Sequence, residues 1–266
     1  MSRFWITTLL AIAAASVACL VLEHQWWTVA VATIWAIYVP IFAFGMASGQ
    51  MQFFCPSVCR GSVGRMRVAL TFDDGPDPAS TPALLDLLER ENIAATFFCI
   101  GKNVAAHPAL AARIVNDGHL IANHTYRHPW WIGFMLAPGL IREMVRTQHA
   151  IEQAAGTTPR YVRSPMGITN PHFPRALRKV GLTLVGWDVR PFDTTGSVRT
   201  TVDRIVRHAR DGSIILLHDG GVSPERLVQI VSTAISELRT RGLEFDRLDR
   251  FIDPISAPSC RSAEAD

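Results

Sequence analysis

The chain has 266 residues, 48% of them hydrophobic, with 26 Lys and Arg against 23 Asp and Glu and a net charge of +3. So small a balance gives no electrostatic footprint for a nucleic-acid partner, and five cysteines, an odd number at irregular spacing, exclude a disulfide framework. Mean hydropathy is slightly positive, and the excess lies at the front.

Residues 4–22 (FWITTLLAIAAASVACLVL) and 26–47 (WWTVAVATIWAIYVPIFAFGMA) carry no charge. Each is long enough to cross a hydrocarbon core of about 30 Å as a helix. Only Glu23-His24-Gln25 separates them, which predicts a transmembrane helical hairpin anchoring the chain over residues 1–50, with Trp26 and Trp27 at the interface. A cleaved signal peptide is the alternative for the first run, since Arg3 supplies a positive start; the second run would still anchor the protein. Arg3 in front and Arg60, Arg65 and Arg67 behind fit both ends on the cytoplasmic face, whereas a single span would put the following domain outside. The expected location is a bacterial inner membrane, with the side of the catalytic domain left open. Cys55 and Cys59, beside the second run, could pair in an oxidising compartment; unpaired thiols are the plainer reading.

After a linker at 51–65, short runs rich in β-branched and aromatic residues alternate with amphipathic segments. The runs are RVALTF, ATFFCI, HLIAN, RYVRS, LTLVGW, SIILLH and LEFDRL. Pro82, Pro108, Pro171 and Pro224 mark helix starts, and Gly118, Gly156, Gly181, Gly212 and Gly242 mark stops. Seven strands and six helices in a domain over 66–256 predict a parallel α/β sheet, either open and doubly wound or closed into a barrel short of eight strands. Both place ligand chemistry at the carboxyl ends of the strands. The tail, 257–266, reads as disordered.

Those ends are where the reactive residues lie. The first run stops at Asp73-Asp74 and the third at Asn123-His124, with His128 four residues on. The fourth stops at Arg163-Ser164-Pro165-Met166, the fifth runs through Trp187-Asp188 to Asp193, and the sixth ends at Leu217-His218-Asp219. Each fragment alone has an ordinary explanation: a turn, a surface pair of imidazoles on one helical face, or a helix cap. Five strand ends carrying such groups together do not. Two imidazoles and a carboxylate are a ligand set for a catalytic zinc with one position open. The second carboxylate is then free as a base, kept ionised by a neighbouring Arg.

Read in order, TFDDGP (71–76), NHTYRHP (123–129), RSPMG (163–167), WDVRPFD (187–193) and LLHD (216–219) resemble the five motifs of the NodB-type polysaccharide deacetylases, carbohydrate esterase family 4. The resemblance covers residues 66–252 and implies an α/β fold, a distorted (β/α) barrel with about seven strands. It implies that Asp74, His124 and His128 hold Zn2+, or another divalent ion such as Co2+. Asp73 would take the proton of the attacking water, with Arg163 orienting it. His218 would protonate the leaving amine, supported by Asp193, for which Asp188 is the rival. A backbone N–H near Met166 would face the oxyanion, and Leu217 and Trp187 would join Met166 in binding substrate.

The implied reaction removes an N-acyl group, chiefly N-acetyl, from an amino sugar in a glycan or lipid-linked saccharide, releasing acetate. Two other readings are carried: a deformylase of a polyprenyl-phosphate-linked amino sugar, and an inactive membrane-tethered carbohydrate-binding barrel. Met166 stands where the family usually has an aromatic residue and Thr194 where it usually has Trp, which puts the acyl group in doubt. The apolar stretch 129–136 (PWWIGFML) is either a cover for the barrel or a contact with the bilayer or a lipid tail.

Overall fold

Val68, Leu70 and Phe72 alternate with Ala69, Thr71 and Asp73 along one run, and this period of two sorts side chains into an inner and an outer layer. The computed structural model describes residues 2–47 and 52–252; the tail expected at 257–266 and Cys260 lie outside them. All seven expected runs are strands: β1 (Arg67–Asp73), β2 (Thr96–Cys99), β3 (Leu120–Asn123), β4 (Tyr161–Val162), β5 (Thr183–Leu184), β6 (Ile214–His218) and β7 (Glu244–Phe245). They pair in parallel in the order β5-β4-β3-β2-β1-β6, with β7 joined to the start of β1. Asp73 is in register with His218 of β6 and with Phe98 of β2, so the first and sixth strands deliver their reactive residues side by side.

Ten helices accompany the strands among the described residues: α1 (Arg3–Val21), α2 (His24–Ala47), α3 (Thr81–Arg90), α4 (Gly101–Ala106), α5 (Pro108–Asn116), α6 (Ala137–Ala155), α7 (Phe173–Val180), α8 (Val198–His208), α9 (Pro224–Thr240) and α10 (Leu248–Phe251). Helices α4 and α10 go beyond the predicted set, because six and four residues are too short to show a helical period. Helix α7 starts two residues after Pro171, where the Asn170 side chain accepts a hydrogen bond from the His172 N–H at 2.8 Å. Outward-facing Leu70, Phe72, Phe97 and Ile215 pack with α3, α5, α8 and α9 in the largest core cluster. Inward-facing Ala69, Phe98, Ala122, Leu216 and Trp187 fill the barrel itself.

The strands do not close the barrel alone. Strands β5 and β6 flank a seam, and two irregular stretches fill it. Val58 N–H donates to Leu184 O at 3.0 Å and Gly186 N–H to Val58 O at 2.9 Å; Gly61 N–H donates to Gly212 O at 2.8 Å. On the other flank Leu216 N–H donates to Val189 O at 3.0 Å. Arg60, Ser213 and the Ile214 N–H all converge on the Asp188 carboxylate. Much of the stretch predicted as linker is therefore laid into the barrel wall, with Cys55 and Val58 buried. Cys55 and Cys59 are free thiols, and burial pushes Cys55 up to about 12.

This seam makes a prediction about truncation. A chain beginning at residue 66 loses the buried side chains of Cys55, Ser57 and Val58 and three backbone hydrogen bonds, at a cost of about 3 kcal/mol or more. A chain beginning at residue 55 keeps them. Thermal melting of the two should differ by several degrees, and equal midpoints would mean the seam segment contributes nothing.

Helices α1 and α2 form the expected hairpin, turning at Leu22–Glu23. Both are long and apolar enough to cross a membrane, and nearly all their side chains face outward. Their far ends meet at one root, where Phe4, Phe53 and Phe54 bury one another against Phe42 and Met46.

Candidate active site

Asp73 and Asp74 are adjacent on the chain, and a regular strand would point them to opposite faces. They converge because Asp74 has a positive φ of 75°, an uncommon backbone state for a residue with a Cβ. Its neighbours hold that turn. The Asp219 N–H donates to Asp73 O at 3.0 Å, Asn103 Nδ2 to Asp74 O at 2.9 Å, and Ile100 N–H to Gly75 O at 2.9 Å. Gly75 is required here: a Cβ would stand 2.2 Å from the Asp219 carboxylate, which lies under the turn.

The two histidines are not a surface pair on one helical face, the ordinary explanation of their spacing. Residues 124–131 form a loop with positive φ at Thr125 (61°) and His128 (52°), and this folding back brings the rings to 5.0 Å between centroids. Buried Glu143 of α6 braces the loop by accepting the N–H groups of Tyr126 and Arg127 and the Arg127 Nε. His124 Nδ1 lies 2.9 Å from Arg163 O; as the donor there, it leaves Nε2 with its lone pair free.

Asp74 Oδ1 lies 3.4 Å from Nε2 of both His124 and His128, and one ligand atom from each of the three residues falls within 4.8 Å of the others. Asp74 Oδ1 is buried and has no hydrogen-bond partner. An orphaned carboxylate oxygen facing two imidazole nitrogens is a donor set that fits a divalent transition metal. Burial alone would raise Asp74; the imidazoles of His124, His128 and His218 beside it outweigh that and hold the carboxyl down at about 2.

On one side of this cluster stands Asp73, whose Oδ1 accepts from Arg163 Nη1 at 2.7 Å. Arg163 is fully buried inside the barrel, donates also to Thr71 Oγ1 and Gly186 O, and lies over the Phe98 ring at 4.1 Å. On the neighbouring strand, in register with Asp73, His218 Nδ1 lies 3.0 Å from Asp193 Oδ1, and the His218 N–H donates to Asp193 Oδ2 at 2.8 Å. Asp193 is held in turn by Arg226, which donates to its main-chain O. Burial alone would lower His218; the hydrogen bond and charge of Asp193, with Asp73 and Asp74 behind it, carry it up to about 9. Asp188, the rival, is engaged with the seam instead, and no contact joins it to His218 among the described residues.

Met166 sits half-exposed in a short 3-10 turn with φ of 56°. The Trp187 ring packs on Gly167, where a Cβ would lie 2.5 Å from it. Leu217 requires correction: it is fully buried in the outer core with Leu70 and Phe72 and does not share the His218 face. Alternation puts Leu216, two residues before His218, on the inner face beside Trp187. Asp219 and Glu143 were not singled out by sequence. Asp219 accepts from Thr81 Oγ1 at 2.6 Å; against that hydrogen bond, burial together with the charges of Asp74 and Asp73 pushes it up to about 7. An open groove of about 920 Å³ runs past Asp74 and His128, with Lys102, His107 and Arg127 along it.

Three residues that could hold a metal ion, beside a carboxylate and a carboxylate-bound imidazole at the carboxyl ends of barrel strands, make a hydrolase-type site. The sequence profile of the polysaccharide deacetylase family matches residues 60–185. The chain is 36% identical over 231 residues to a chitooligosaccharide deacetylase of Bradyrhizobium sp. (strain ANU 289), covering 80% of this chain and 98% of the relative. It is 33% identical over 187 residues to a peptidoglycan-N-acetylglucosamine deacetylase of Bacillus cereus, covering 70% and 68%. The crystal structure of the Bc1960 peptidoglycan N-acetylglucosamine deacetylase superposes with a TM-score of 0.68 at 31% identity, over 74% of this chain and 92% of that one. The chain belongs to the polysaccharide deacetylase family and is a carbohydrate deacetylase.

Proposed function

We propose that this protein is a membrane-anchored, zinc-dependent N-deacetylase of amino sugars, with Asp73 as base and His218 as acid. The observation that carries the reading is an Arg163-bound carboxylate and an Asp193-bound imidazole, in register on neighbouring strands, beside one three-ligand cluster. By their names the relatives deacetylate chitooligosaccharides in one case and peptidoglycan N-acetylglucosamine in the other, which supports an N-acetylated saccharide here. Asp74, His124 and His128 would hold the ion. When bound, it supplies a Lewis acid that acidifies water and polarises an amide carbonyl.

The chain's own groups do the rest. Asp73, fixed through Arg163, accepts the proton of the attacking water as its oxygen bonds to the acyl carbon. His218, a donor at Nε2 while Asp193 holds Nδ1, gives a proton to the sugar nitrogen as the C–N bond breaks. Acetate and a free amine leave, and the proton taken balances the proton given. The Met166 stretch offers its main-chain N–H toward the developing oxyanion, a contribution that does not depend on the side chain there. Trp187 and Leu216 form an apolar wall suited to an acetyl methyl.

Amine release tests this. Detergent-purified full chain, stripped with a chelator and reloaded with Zn2+ or Co2+, should free amine from N-acetylchitooligosaccharides only when loaded. His124→Ala should lose metal and activity together, as metal content and rate both show. Activity that survives chelation would sink the reading.

A further inference from the structure

Outside α1 and α2, the densest run of exposed large apolar side chains is Trp130, Trp131, Phe134 and Leu136; Trp130 and Phe134 are 73% and 80% exposed. Contiguous apolar surface of this kind marks a binding face. It is displayed rigidly. Ile132 between them is fully buried against Leu140, Met144 and Phe173, and Asn170 Nδ2 donates to the carbonyls of Ile132, Gly133 and Met135.

What the face meets follows from its neighbour. Met46, in the last turn of α2, lies so close to Gly133 that a Cβ there would stand 2.7 Å from Met46 Cε. The Thr169 N–H donates to Met46 O at 3.1 Å. The aromatic run therefore continues the outward apolar surface at the root of the hairpin. Tryptophan is the residue type that settles at the boundary of hydrocarbon and water. Only Pro129 separates Trp130 from His128, so the Trp130 Cα lies within about 7 Å of that ligand's Cα.

We propose that the face formed by Trp130, Trp131, Phe134 and Leu136 docks on the lipid bilayer interface and seats the catalytic end of the barrel there, directing the enzyme to amino sugars carried on a lipid. This rests on the membrane-anchored deacetylase reading and adds a second, independent membrane contact to it.

The test uses the full chain in proteoliposomes of phosphatidylethanolamine and phosphatidylglycerol. Spin labels go on Phe134→Cys and, as an aqueous control, on Thr233→Cys of α9, in a Cys19→Ser, Cys260→Ser background. The label at 134 should be relaxed more by dissolved oxygen than by a water-soluble nickel chelate, and the label at 233 the reverse. An aqueous response at 134 overturns docking. In parallel, the Trp130→Ser/Phe134→Ser variant should cleave soluble N-acetylchitooligosaccharide within twofold of the parent. On an N-acetylglucosaminyl lipid embedded in the same vesicles it should lose about tenfold or more, the equivalent of ~1.4 kcal/mol. Equal loss on both substrates means the run builds the site and overturns the proposal. A parent protein inert on both substrates while the 134 label sits in lipid supports docking and counts against the deacetylase reading alone.

Discussion

Asp73→Asn should abolish amine release and loosen the fold at the same time. The first effect follows from chemistry: an amide cannot take a proton from water, and losing a positioned base costs on the order of 10²–10⁴ in rate. The second follows from Arg163, a guanidinium with no exposure whose charge Asp73 neutralises at 2.7 Å. Removing one partner of a buried pair strands the other, at about 3–5 kcal/mol. Asparagine keeps an acceptor oxygen, and Thr71, Gly186 O and the Phe98 ring still surround the guanidinium, so the low end of that range applies. The double variant Asp73→Asn/Arg163→Met removes the stranded charge and should recover part of the melting temperature without recovering any rate. An Asp73→Asn enzyme that keeps its rate would end the assignment of the base.

The acid flank should appear in the pH profile. His218 is held up at about 9, so the fraction able to donate a proton stays near one through neutrality and falls as pH rises through 9. A bound divalent cation adds positive charge nearby and moves this alkaline limb of kcat/KM downward. Asp193→Asn removes the charge that holds the imidazolium and should move the limb further, toward the ordinary value near 6.5. At pH 6 the variant should approach the parent; at pH 8 it should lag well behind it. His218→Gln should lose about 10²–10⁴ at every pH. The same shift bears on stability. Its contribution is fully present below the unfolded value of 6.5 and is lost as pH rises through about 9, an upper bound of ~3 kcal/mol in the absence of the ion. A limb unmoved by Asp193→Asn would mean that another group is the acid.

The strands were legible because each is a short apolar run bounded by turn residues, a signal contained in five or six consecutive positions. The reactive residues were legible because strand ends in a parallel barrel converge. What a local window lacks is handedness and long-range pairing. The HTYRH spacing looked helical, yet positive φ at Thr125 and His128 makes the convergence, and the brace responsible, Glu143, lies fifteen residues downstream of His128 in another helix. Leu217 was off by one residue because an unbroken apolar strand such as IILLH does not say which alternate positions face inward. Burial on both faces erases the alternation that would have marked them. The seam at Val58 gave no sign at all, since a single bridge to Val185 has no sequence period.

On the membrane-anchored reading proposed above, that seam also fixes where the enzyme would work. Only five residues separate Ala47, the last of α2, from Phe53, which is packed into the root of the hairpin, and Val58 is already part of the barrel wall. A catalytic domain on a flexible tether samples a volume that grows with tether length, and its effective concentration toward a substrate falls accordingly. Mounted this way on a membrane, the barrel would have one stand-off height and one tilt. Its encounters would become a two-dimensional problem governed by lateral diffusion and surface density, and a flexible insertion between Ala47 and Phe53 would give the same active site a different set of molecules within reach.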